Sequence, residues 1–196
     1  CLYHKDVKRA QQIVDGDVEL DKKELEINEK AILLIAKQQP LATDLRRLII
    51  ALRISSDIER MADHAVNIAK AAMRLGENHP LTIHPEISKM AEIARDMVTL
   101  AMKAFENDDI SLAKKLAEMD DEVDSMYNHF TKKMLTESAS NPQNIQHIMQ
   151  MTFSARFIER YADHCTNIGE SIFYLVKGLH NSNPSIPGSI KSKRMR

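Results

Sequence analysis

Paired carboxylates spaced four residues apart recur along the chain. Glu59 and Asp63 fall on one face of a helix, as do Glu159 and Asp163, and Asp17 with Asp21 and Asp120 with Asp124 repeat the spacing. Like charges at i, i+4 are unfavourable by roughly 0.2 to 0.5 kcal/mol, and more when they sit beside apolar surface. That is the case here: at about 100° per residue, Glu59 and Asp63 continue the stripe of Leu45, Leu48 and Leu52, while Ile145, Ile148 and Met149 lead into Glu159 and Asp163. A hard cation would relieve the repulsion, because oxygen ligands suit Mg²⁺, Mn²⁺, Ca²⁺ or iron, and two facing helices could bring four carboxylates to one point. Asn67 and Asn167 extend each row by a turn, and His64 and His164 lie about 100° round the helix, as peripheral ligands or as packed neighbours. The same spacing also occurs on solvated helix faces, here with Arg60 and Arg160 as counter-charges, so spacing alone leaves both readings open.

Duplication weighs between them. Residues 58–68 and 158–168 align at an offset of 100 with 8 of 11 positions identical. A second match, at an offset of 103, sets Asp6, Ala10, Asp17, Glu19 and Asp21 over Asp109, Ala113, Asp120, Glu122 and Asp124. The acids recur while neighbours read as surface positions diverge, Lys70 against Glu170 and Asp57 against Phe157.

The elements that must carry these rows are helices. With 196 residues, 43% hydrophobic, 5% aromatic, 5 Gly and no Trp, the composition suits an all-α bundle. The six prolines all fall between periodic segments, which predicts helices at 5–38, 42–75, 86–106, 110–137 and 144–178. Residues 76–80, Gly-Glu-Asn-His-Pro, read as a helix stop, and Asn107, Asp108 and Asp109 as a cap for the next helix. Residues 1–78 form a first repeat, 79–180 a second, and 181–196 a flexible basic tail. The second repeat has a helix before Asp109 that the first lacks before Asp6. The expectation is therefore two tandem antiparallel three-helix bundles whose first helix is missing from this chain, leaving an exposed apolar groove.

A formal charge of −1 gives no global pull toward nucleic acid or an anionic bilayer, and no run of 18 apolar residues spans a membrane. Two cysteines, Cys1 and Cys165, fit a reducing, cytoplasmic compartment, and Cys165 replaces Ala65 of the repeat. The first residues carry no apolar signal region. The histidines other than His64 and His164 read as surface, and the methionines as core filler. No Glu has a His three residues later, and the phosphate-loop, nucleophile-elbow, Cys-x-x-Cys and His-Glu-x-x-His patterns are absent, which points to a binding or regulatory protein without catalytic residues.

Residues 59–68 and their copy at 159–168 resemble the PhoU family of bacterial phosphate-signalling regulators, whose Glu/Asp-x-x-x-Asp motif is met here by Glu59 with Asp63 and Glu159 with Asp163. Residues 38–48 are similar to the family's turn into its third helix, and Asp17 to Asp21 and Asp120 to Asp124 to its paired-acid segment. The resemblance implies a cytoplasmic negative regulator that links the ATPase subunit of the phosphate ABC transporter to the phosphate sensor histidine kinase. It also implies a homodimer, with iron, zinc, manganese or magnesium on the acids. Two alternatives remain at this point: a metal-dependent helical-bundle hydrolase or oxidase, and a metal-free structural adaptor.

Overall fold

A computed structural model describes residues 1–76 and 82–178. Among them run five α-helices: α1 (Val7–Gln38), α2 (Ala42–Leu75), α3 (Pro85–Asn107), α4 (Ile110–Ser140) and α5 (Ile145–Lys177), the last entered through a 3₁₀ turn at Pro142–Asn144. The basic tail, most of the expected stop after Gly76, His79 and His180 lie outside the described residues.

Local chemistry sets the helix ends. The Asp6 carboxylate accepts from the Arg9 amide at 2.8 Å, which starts α1 two residues later than the spacing predicted. Asp109 caps α4, its Oδ1 accepting from the Ser111 hydroxyl and from the Ser111 and Leu112 amides, and these bonds hold its carboxyl below the usual range. Pro85 occupies the first position of α3, where a missing amide hydrogen does no harm. Gly76 and Gly178 end α2 and α5 at φ of 72° and 70°, values a side chain resists.

Short connections make α1 and α2, α3 and α4, and α4 and α5 antiparallel neighbours. α3, α4 and α5 pack mutually as a three-helix bundle, α2 packs on α5, and among the described elements α1 touches α2 alone. α5 is therefore central and buries residues on every side, among them Ser154, Ala155, Ala162, Cys165, Gly169 and Ile172. Burial pushes the Cys165 thiol up to about 12, leaving an inert core residue. Met61, Met90, Met97, Met134 and Met151 fill the core as expected.

Among the described residues the first unit holds two helices where the second holds three. Leu116, Val123 and Phe130 of α4 are 0% exposed beneath α3, whereas their counterparts in the first repeat include Leu20 and Ile27, at 38% and 41%. The crossing of α4 with α5 is close: a Cβ on Gly169 would lie 3.1 Å from the Ala113 carbonyl oxygen and 3.2 Å from Leu116 Cδ1. Ala69 takes the corresponding place in α2, so the first unit must accommodate a methyl group there.

Candidate metal centre

The second unit gathers its acids. Asp120 and Asp124 project from adjacent turns of α4, Glu159 and Asp163 from adjacent turns of α5. One oxygen each of Asp124, Glu159 and Asp163 lies within 4.8 Å of the others, the only such trio among the described residues. Glu159 is 8% exposed; Arg156, one turn earlier, donates to its Oε1 at 2.5 Å and rests over the Tyr127 ring, 5.5 Å from the centroid. The second oxygen, Oε2, and Oδ1 of Asp120 are buried with no protein partner. Buried polar atoms are nearly always satisfied, so this pair of orphaned oxygens beside a trio of ligand-spaced carboxylates fits a cation.

The electrostatics agree. Burial, then the neighbouring Asp163 and Asp124, push the Asp120 carboxyl up to about 7. Burial and Asp163 push Glu159 to about 7 against the opposing pull of Arg156. Asp163 keeps an exposed edge and is also raised, by partial burial first and Asp124 second. Near neutrality a proton and a metal ion would compete for this cluster.

The first unit carries the same acids in a looser arrangement. Asp17 and Glu59 are raised, each by burial first, then Asp17 by Asp21 and Asp63, and Glu59 by Asp63, Glu24 and Asp21. These four acids do not form a ligand-spaced trio. Two repeat differences accompany it: Ala69 stands where Gly169 admits the close crossing, and Ser56 stands where Arg156 bonds its glutamate. Glu24, the counterpart of Tyr127, adds a further negative charge. The spacing did not single out Arg156 or Tyr127; Arg156 stands three residues before Glu159, the signal that could have flagged it.

His64 and His164 do not join the acids. They stack on each other across the seam of α2 and α5, ring centroids 5.4 Å apart and planes 28° from parallel. His164 Nδ1 meets Asp57 Oδ1 at 2.9 Å, Asn167 Nδ2 donates to the same oxygen at 3.4 Å, and His64 stacks on Phe157 at 5.9 Å. Burial, then His164, lowers the His64 imidazole, which favours its neutral form. Asn67 is half-buried on α2. Asp57 and Phe157 are thus seam partners rather than the surface positions their divergence suggested. Two further histidines depart from the surface expectation: His147 is buried in α5, and His84 caps α3 by accepting from the Glu86 amide and lies edge-on to Phe130.

The contacts across the seam are reciprocal. Position 57 meets His164 and position 157 meets His64, one interaction related to the other by the repeat offset, so the two units are arranged about an approximate two-fold axis through the histidine pair.

The PhoU domain family model matches residues 1–72 and 87–172. The chain belongs to the PhoU family. It is 34% identical over 179 residues to a phosphate-specific transport system accessory protein PhoU homolog of Rhizobium meliloti, covering 91% of this chain and 76% of that protein. With the homolog of the same description from Aquifex aeolicus it shares 39% over 178 residues, 91% of this chain and 80% of the other. The crystal structure of PhoU from Pseudomonas aeruginosa superposes with a TM-score of 0.87 at 31% identity, over 91% of this chain and 86% of that one. The phosphate transport system regulatory protein PhoU from Streptococcus pneumoniae gives 0.83 at 28%, over 90% and 83%. The all-α, duplicated PhoU-like architecture expected from the repeat is therefore the fold of this chain.

Proposed function

We propose that this chain is a cytoplasmic negative regulator of phosphate uptake and of phosphate-regulon signalling, docking on the ATPase subunit of the phosphate ABC transporter and on the sensor histidine kinase as a homodimer. Its relatives are accessory proteins of the phosphate-specific transport system, and the chain has that general role in regulating phosphate transport. It is an accessory protein and not an enzyme, which removes the hydrolase and oxidase alternatives. No described helix is long and apolar enough to cross a membrane, so association with a transporter would run through the partner.

The finer reading places a metal ion on Asp124, Glu159 and Asp163, with Asp120 beside them, and a second, weaker ion on Asp17, Asp21, Glu59 and Asp63. The observation that supports it is the pair of buried, unpartnered oxygens, Glu159 Oε2 and Asp120 Oδ1, next to the trio. An all-carboxylate donor set favours manganese, magnesium or iron over zinc, whose sites prefer imidazole and thiolate. The ion would neutralise the acids and hold α4 against α5. A regulator acts on its partner by binding one of the partner's states more tightly, and a few kcal/mol of difference suffices.

Elemental analysis of the purified protein, followed by titration of Mn²⁺ into wild type and the Glu159→Gln, Asp163→Ala variant, tests the metal. Stoichiometric metal that the variant loses supports it; equal binding by both, or none by wild type, rejects it. Capture of the transporter ATPase and the kinase, with and without chelator, tests the docking.

A further inference from the structure

Among the described elements α1 packs on α2 alone, and the strip it turns inward carries buried Ala10 and Ala31 with half-buried Asp17, Asn28 and Ile35. An apolar row at seven-residue spacing runs along each side of that strip. Leu20, Ile27 and Leu34 form the first; Val18, Leu25 and Ile32 form the second, about 140 to 160° round the helix. The second row is the more open, 54 to 62% exposed against 38 to 41%.

The repeat separates the two rows. The first corresponds in α4 to Val123, Phe130 and Glu137, of which Val123 and Phe130 are buried, so packing within the second unit reaches that flank. The second corresponds to Asp121, Asn128 and Leu135, all exposed. Packing within a unit therefore gives no reason for Val18 or Leu25: where the second unit turns an aspartate and an asparagine to solvent, the first turns a valine and a leucine. Lys22 and Glu29, both exposed and seven residues apart, border this row on the side away from α2.

These charges are complementary to themselves. When two copies of α1 are set antiparallel about a two-fold axis near Leu25, Leu25 meets its own image and Val18 lies opposite the partner's Ile32. In the same register Lys22 lies opposite the partner's Glu29, and each pairing occurs twice. We propose that a second copy of this chain docks on the Val18, Leu25 and Ile32 flank of α1, helix against antiparallel helix, with an apolar centre bordered by two Lys22 to Glu29 ion pairs. The proposal rests on the homodimer of the reading above and gives it a face. The row is about 21 Å long, small for a protein interface, so the association is weak and depends on concentration.

Sedimentation velocity of the full chain between about 1 and 500 µM, with chelator present to remove metal bridging, tests it. A monomer–dimer equilibrium is expected. Leu25→Glu, which sets two like charges together at the axis, should remove the dimer from this range, and Ile27→Glu on the first row should leave it within about threefold. Lys22→Glu and Glu29→Lys should each weaken self-association roughly 5- to 10-fold, and an equimolar mixture of these two variants should restore it, because every cross-helix pair in the mixed dimer again joins opposite charges. The mixture decides the matter even if Leu25→Glu melts early, since its variants alter exposed charges alone. A dimer that Leu25→Glu leaves intact, loss of the dimer on Ile27→Glu instead, or a mixture that fails to recover overturns this face and leaves the homodimer standing; a chain that is monomeric throughout overturns both.

Discussion

His64 is stacked on His164, its own image in the repeat, with 5.4 Å between ring centroids. The pair marks the approximate two-fold axis between the units. From it the two sides of the seam diverge, Asp57 facing His164 and Phe157 facing His64. The acid clusters diverge in the same way, one tight and one loose, and the predictions follow from that asymmetry.

Removal of Asp163 or Glu159 should weaken the tighter Mn²⁺ binding by more than about 10-fold, whereas Asp63→Ala should affect a weaker event alone. Calorimetric titration of each single variant separates the two. Equal losses at Asp63 and Asp163 would contradict the structural difference between the units.

Arg156→Gln should lower Mn²⁺ affinity about 10- to 100-fold at neutral pH, although the arginine is no ligand. It removes the contact that orients Glu159 and opposes its protonation. The loss should shrink as pH rises, because the competing proton is then gone; a loss independent of pH would assign Arg156 to orientation alone.

Without metal, stability should fall as pH rises from about 5 to about 7. Asp120 and Glu159 titrate in the fold near 7, above their unfolded values, so the native state binds more protons across that window. Each excess proton contributes a slope of about 1.4 kcal/mol per pH unit between the two values; the stability itself is fully present below the unfolded value and is lost as pH climbs through the folded one. Urea unfolding in chelator at a series of pH values reads the slope, and added Mn²⁺ should flatten or reverse it.

Gly169→Ala should destabilise the protein by about 1 kcal/mol. Overpacking against the Ala113 carbonyl and Leu116 costs about 1 to 3 kcal/mol, and the better helix propensity of alanine returns about 1. Thermal melts measure the net, and Mn²⁺ affinity should fall with it if the close crossing is what gathers the acids.

Phe130→Ala should cost about 3 to 5 kcal/mol, whereas truncation of its repeat counterpart, Ile27→Ala, should cost under about 1 kcal/mol. Phe130 is fully buried, and Ile27 is 41% exposed on a helix that touches α2 alone among the described elements. Matching urea midpoints for the two variants would refute the difference in packing.

Helix placement was legible because prolines and capping residues mark every break, and Asp109 does in the structure what its position promised. The acid rows were legible as pairs, since i, i+4 spacing fixes which side chains share a face. Whether two rows would meet depended on the distance between helices, which Gly169 governs through an atom it lacks, and spacing along one helix carries no such information. The seam was misjudged for a related reason. Asp57 and Phe157 differ in chemistry, and difference suggested solvent, but both face a repeated histidine from the opposite unit.

The two-fold axis through that histidine pair has a consequence for how such a seam can change. An association of identical subunits must place the same side chain at both ends of its axis, so any new charge arrives twice. Once both copies lie on one polypeptide, each end mutates alone. Asp57 and Phe157 are a difference of that kind, charged on one side of the seam and apolar on the other.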